Sequence, residues 1–214
     1  MATTKTKKPT DQVILECAIE IIDQHGEAAL RIAEITEQTG VSISSIYHFY
    51  TDREGLIAAA QVERYIENLN DLLEVVNDQL TGPRSKEEFK DALLGLYRML
   101  LVPERAHVRL TRLNVLGGIV GRPALAARLA EIQDDLILQI ASLFDTPLAL
   151  GWIRQGTDPV AMTSWLVGIY MQRALIELGP SSVDPMSWNE IAERAIVATL
   201  FEDWPTDARE LPAG

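Results

Sequence analysis

The 214-residue sequence predicts an all-α protein of about nine helices, divided into two domains. Three observations lead there. Apolar residues recur at i, i+3 and i+4 along nearly the whole chain, the period of helices buried on one face. No alternating apolar-polar run is long enough to make a strand. Glycines and prolines fall at helix-length intervals, where they mark ends rather than interrupt the pattern. At 47% hydrophobic and 23% charged residues the chain can bury a real core, which excludes global disorder.

Residues 13–22 give the first helix. Val13, Ile14, Cys17, Ala18, Ile21 and Ile22 share one face, Glu16, Glu20 and Asp23 take the other, and His25-Gly26 ends it. A second short helix spans 31–38 and stops at Gly40, and a third spans 42–49 with Ser42 as its cap. The fourth starts at Thr51 or Asp52, with Glu54 completing a capping box from Thr51, and keeps a helical period to Leu80. Residues 81–85 are the first clear break, and Ser85 with Glu88 reads as another capping box. Further helices are expected over 86–101, 104–117, 122–143, 158–178 and 187–202, with Pro103, Pro123, Pro159 and Pro185 near four of the starts. Within 144–157 one extra turn is expected around Gly151 to Arg154. The domains are expected at 8–68 and 69–204, with 1–7 and 205–214 as loose tails.

Several classes drop out. No run approaches the roughly 20 apolar residues of a membrane-spanning helix, and the polar, basic first ten residues do not read as a secretory leader. The expectation is a soluble, cytoplasmic protein. A single cysteine, Cys17, excludes an intramolecular disulfide framework and a cysteine-rich zinc site, and neither cofactor nor metal is expected. The formal charge is −12, which by itself argues mildly against nucleic acid. Lys5, Lys7 and Lys8 nevertheless cluster in the first ten residues, which hold no acid; the plain reading of that run is a solvated tail.

Positions 31–50 have the layout of a helix-turn-helix. Thr36 is the small residue on its first helix, Gly40 the turn glycine four residues later, and Ile35, Val41 and Ile46 the buried set. That pattern alone is weak. The stretch from its turn onward is more specific: residues 40–56, Gly-Val-Ser-Ile-Ser-Ser-Ile-Tyr-His-Phe-Tyr-Thr-Asp-Arg-Glu-Gly-Leu, join a recognition helix, an aromatic cluster and a capped basic helix start. This run resembles the signature of the TetR family of bacterial transcriptional regulators. The close likeness covers about residues 11–68; the remainder is similar only in helix count and length.

The resemblance implies a homodimer whose third helices enter successive major grooves of a near-palindromic operator, most often as a repressor released by a small molecule. It assigns Ser42, Ile43, Ser44, Ser45 and His48 to base contacts and Tyr47 and Arg53 to phosphates, with Lys7 and Lys8 as an arm along the backbone or minor groove. Ile46 and Tyr50 read as core. The chain departs from the pattern at Ser44, where glycine is common, at Phe49, often polar, and at Arg31, usually a capping Ser or Thr. Residues 1–53 hold five basic against eight acidic residues, which implies few phosphate contacts and a shallow salt dependence.

The same resemblance makes the second domain the seat of effector binding and dimerisation. Tyr65, Tyr97, Trp152, Trp165, Tyr170 and Met171 are candidate pocket residues, and an apolar or aromatic effector is the default. Trp165, Ile169, Ile191, Ala195 and Ala198 are candidates for the dimer interface, though each could equally fill the monomer core. An enzyme is disfavoured: Glu104 and His107 give one Glu-x-x-His spacing with no second copy, and Cys17 lies on an apolar face. An interaction protein that keeps the fold without binding DNA is the other alternative, motivated by the acidic first domain.

Overall fold

The structure, a computed structural model, describes residues 8–202. Among these lie ten α-helices: α1 (Thr10–His25), α2 (Ile32–Thr39), α3 (Ile43–Tyr50), α4 (Arg53–Leu80), α5 (Lys86–Leu100), α6 (Ala106–Gly117), α7 (Pro123–Ser142), α8 (Asp145–Ala149), α9 (Pro159–Gln172) and α10 (Pro185–Leu200). Three 3-10 turns cover Glu27–Ala29, Pro103–Arg105 and Arg173–Ile176. The chain divides into two compact units, one of residues up to 67 together with 118–129, the other of 68–117 with the residues from 130 onward. Residues 118–129 thus group with the first unit, although they lie far along the chain.

In the first unit the apolar face of α1 closes on α2, α3 and the start of α4. Ile14, Leu30, Ile35, Ile46, Leu56 and Ile57 are wholly buried, and Val41 and Tyr50 pack against them. The Tyr50 hydroxyl donates to the Asp11 carbonyl at 2.7 Å, and burial pushes its pKa up to about 12. Cys17 is buried too, its thiol on the Gln38 side-chain oxygen at 3.3 Å and its pKa raised first by burial and then by Glu20 and Glu34. Gly40 makes the turn between α2 and α3 at φ 70° and ψ 7°, its N–H on the Thr36 carbonyl at 2.9 Å. Only glycine takes that conformation without strain.

The entry to α4 differs from the expected capping box. Thr51 sits at φ 64° and closes α3, and the Asp52 carboxylate accepts the Gly55 N–H at 2.7 Å. Glu54 instead faces Arg53 and Arg122. Gly55 is fixed by space: a Cβ there would lie 2.1 Å from the Tyr50 carbonyl oxygen.

A polar knot closes the unit. Glu27 receives Arg122 at both carboxylate oxygens, at 3.1 and 2.8 Å, and also the Gln61 amide. Gln61 in turn accepts from Arg64 at 2.7 Å, and Arg64 reaches Asp23 at 2.9 Å. Burial alone would raise the Glu27 carboxyl. The hydrogen bonds from Arg122 and Gln61, with the charges of Arg122 and Arg64, outweigh it and hold the group below its ordinary value.

The second unit corrects three expectations. The extra element in 144–157 is α8, at 145–149 rather than around 151–154. The helix expected over 158–178 ends at Gln172 and tightens into a 3-10 turn. The tenth helix begins at Pro185, two residues early, because Asp184 caps it. Proline does occupy the first position of α7, α9 and α10 and of the turn at 103. Arg109, wholly buried, ties the end of α5 down by donating to the Leu100 carbonyl at 2.5 Å, the Val102 carbonyl at 3.2 Å and the Glu177 carboxylate at 2.7 Å.

Alanine for glycine inside a helix normally stabilises by about 1 kcal/mol. Gly55→Ala is expected to destabilise by about 1–3 kcal/mol because its methyl meets backbone; urea unfolding followed by circular dichroism decides the sign. Because Glu27 is held below its ordinary value, its contribution is complete above the usual carboxylate range and declines as pH falls through the lowered value. Glu27→Gln should therefore flatten the acid limb of the stability profile; an unchanged limb would contradict the assignment.

Candidate nucleic-acid interface and ligand cavity

The N-terminal half of α3 forms an uncharged surface. Ser42 stands at the cap position, its hydroxyl accepting the Ser45 N–H at 3.2 Å and lying 2.9 Å from both the Ser44 and Ser45 hydroxyls. Ile43 is 48% exposed and Tyr47 46%; Ser44 and His48 are exposed beside them. Phe49, where a polar residue is common, is exposed and meets the His48 ring edge-on at 5.2 Å. Between the buried Ile46 and these residues the helix separates a core face from an outward face, as the spacing predicts. The outward face offers hydroxyls, an imidazole, a methyl-bearing branch and two aromatic rings, and no fixed charge.

The basic candidates are placed differently. Arg53 donates from Nε to the Leu30 carbonyl at 3.0 Å and from Nη2 to the Glu27 carbonyl at 2.7 Å, while Nη1 pairs with Glu54. Its geometry is that of a brace between the start of α4 and the turn before α2, rather than a side chain held out for phosphate. Lys8 is exposed and pairs with Glu16 at 2.7 Å; Lys7 lies outside the described residues. Arg31, in place of a capping hydroxyl, donates to the Ala28 carbonyl at 2.6 Å and the Leu30 carbonyl at 3.2 Å from an exposed position.

The second unit contains a cavity of about 40 Å³. Of the expected pocket residues, Tyr97 and Tyr170 line it. Tyr65, Trp152, Trp165 and Met171 do not. Tyr65 is buried within the first unit. Trp152 packs on Phe89 at 6.2 Å. Trp165 falls off the cavity face of α9, which is set by Thr163, Leu166, Val167 and Tyr170, because two residues along a helix turn a side chain through about 200°, and Met171 is not part of the lining. Trp165 lines an open groove with Arg154, Asp158 and Leu200 instead.

Sequence reasoning misses Leu72, Val76, Leu93, Leu96 and Thr163. Their helical spacing is visible in the chain, but aliphatic stripes mark every core helix, whereas aromatic rings stand out singly. Among the dimer candidates, Ile169 is buried in the monomer, a correction that follows from its place beside Tyr170 on the inward face of α9. Ile191 is 60% exposed, and Ala195 and Ala198 are half-buried. On α9, Ala161, Ser164, Trp165 and Gly168 make an outward face.

Comparison with known proteins agrees with the motif. The sequence profile for bacterial regulatory proteins of the tetR family matches residues 14–60. The HTH-type transcriptional regulator RutR of Escherichia coli O157:H7 is 26% identical over 147 residues, 68% of this chain and 62% of RutR. The match therefore spans less than two thirds of that relative. Among solved structures, a protein of Mesorhizobium loti assigned to the TetR family superposes with a TM-score of 0.65 at 18% identity, covering 90% of this chain and 96% of the other. A Saccharomonospora viridis protein solved with choline gives 0.63 at 17%, covering 90% and 98%. The helix-turn-helix segment at 14–60 thus matches the family of bacterial regulatory proteins named tetR, and the helices beyond it share the fold of those solved structures.

Proposed function

We propose that this protein is a sequence-specific DNA-binding transcriptional regulator, acting as a homodimer and released from a near-palindromic operator by a small apolar effector. The observation that carries the reading is the outward face of α3, in which Ser42, Ile43, Ser44, Tyr47 and His48 present groups able to meet base edges, thymine methyls and phosphates. That face is turned away from the core of the unit, which the opposite face of the same helix completes. Repression is the commoner mode of the family and is the mode proposed.

The dimer reading is supported by the outward faces of α9 and α10, where Trp165 and Ile191 are exposed. Large apolar side chains exposed to water on two helices are a liability unless covered. A homodimer is also what an operator of two half-sites about 34–36 Å apart requires. In the proposed mechanism the effector binds better to one arrangement of the two recognition helices than another, and so shifts the population away from the DNA-competent form.

The interface should behave as a neutral one. Between residues 8 and 53 the exposed lysine and arginine are Lys8 and Arg31, two per protomer, and each phosphate they neutralise contributes roughly 0.9 to the salt slope. On a site selected from random DNA, log affinity against log salt is expected to fall with a slope near about −4, and a slope near about −10 would overturn the neutral reading. Replacing thymine by uracil at a contacted position removes one methyl and should cost about fourfold in affinity. Ile43→Ala should erase that difference, and an equal loss in wild type and variant would remove Ile43 from base contact. For assembly, Ile191→Glu is expected to convert dimer to monomer in sedimentation velocity, and an unchanged dimer would place the interface elsewhere.

A further inference from the structure

We infer that Arg122 is a positioning residue for the reading helix: its guanidinium clamps Glu27, at the entry to the helix-turn-helix, to Glu54, at the exit, and so fixes how α3 is presented. The inference rests on the DNA-binding reading of α3 and adds to it a residue from far along the chain.

The motif is entered through the turn Glu27–Ala29 and left through Thr51 and Asp52 into α4. Arg53, the first residue of α4, ties its own end to the entry by donating to the Glu27 carbonyl at 2.7 Å and the Leu30 carbonyl at 3.0 Å. Arg122 makes a second tie between the same two places. Its Nη1 donates to Glu27 Oε1 at 3.1 Å, and its Nη2 to Glu27 Oε2 at 2.8 Å and to Glu54 Oε2 at 3.1 Å. Glu54 Oε1 accepts from Arg53 at 2.7 Å. Two arginines and two glutamates thus close a ring around the point where the motif joins the body of the unit. Base-edge contacts tolerate misplacement of only about 0.5 Å, so slack in that ring reaches α3 directly.

The contact differs from an ordinary surface ion pair in three respects. The backbone of Arg122 is set on both sides: its N–H donates to the Ile119 carbonyl at 2.9 Å, and its carbonyl accepts the Ala126 N–H at 3.0 Å in the first turn of α7. Its Nη1 also donates to the Gly118 carbonyl at 3.2 Å, so both terminal nitrogens are committed within the chain rather than held out for phosphate. A planar fork can serve both oxygens of one carboxylate and still reach a second acid, which a lysine ammonium cannot do. Without Arg122, Glu27 would keep the neutral Gln61 amide as its one side-chain hydrogen-bond partner among the described residues. The tie between Glu27 and Glu54 side chains would be gone.

Arg122→Gln and Arg122→Lys in the full-length protein test the inference, on a site selected from random DNA and on an unrelated duplex of equal length. Arg122→Gln is expected to weaken the selected site about five- to tenfold, and the unrelated duplex by less than about twofold. Arg122→Lys keeps the charge and loses the fork, so it should lose nearly as much. The salt slope should match wild type, because the lost group neutralises no phosphate. In the free variants, hydrogen exchange should quicken across 27–31 and 51–55 and stay unchanged in α5 and α9, which separates a loosened motif from a general loss of folding. Wild-type affinity in Arg122→Lys, equal losses on both duplexes, a slope shallower by about 0.9 per protomer, or unchanged exchange at 27–31 and 51–55 would each overturn the inference. If the wild type selects no site at all, the DNA-binding reading falls, and exchange alone still decides whether Arg122 clamps the motif.

Discussion

The first unit is organised by a shortage of cations and by where those it has are committed. Glu27 draws in Arg122 and Gln61 through its carboxylate and Arg53 through its carbonyl oxygen. That one residue thereby joins the turn after α1, the first half of α4 and the segment at 118–122. A helix-turn-helix reads DNA only as a rigid body, because its exposed residues must keep their register against base edges. In a unit this acidic, rigidity comes from arginines turned inward. The same commitment leaves the proposed reading surface to neutral groups, so its character and the stability of the scaffold have a common origin.

The second unit uses arginine in a similar way for a different end. Arg109 satisfies carbonyls beyond the reach of helical hydrogen bonds at the end of α5 while paired with Glu177, which also lies 3.3 Å from Arg173. Such a pair is worth little in net stability against an apolar substitute, yet breaking one half of it is costly. Its value here is positional: it fixes the end of α5 and the turn after α9 while the cavity wall stays apolar.

Much of this is legible in the sequence. The apolar period of α1, the Thr36–Gly40 turn, the Ser42 cap and the separation of Ile46 and Tyr50 from the outward residues of α3 all obey local rules of spacing and capping. The start of α4 is ambiguous because Thr51 and Asp52 are both good caps. The choice between them is made by the backbone, which puts Thr51 at positive φ and Asp52 within reach of the Gly55 N–H. Arg53 could not be read at all from its motif position, since what engages it, Leu30 and Glu27, lies more than 20 residues away. The cavity is legible only in part for the same reason. Helical spacing says which residues share a face, but whether that face closes on a neighbour or leaves a void is decided by helices far apart in sequence. Tyr97 and Tyr170, aromatic rings on amphipathic helices, are the local signals that point there.

The proposed function rests on two α3 helices entering successive major grooves. Hydroxyl-radical footprinting of the full-length protein on a selected DNA site tests this most directly. Two protected patches are expected on one face of the duplex, centred about one helical turn apart, and both should be lost together in the Ile43→Ala, Tyr47→Ala double variant. A single patch, uniform protection along the fragment, or a footprint indifferent to those two substitutions would contradict it.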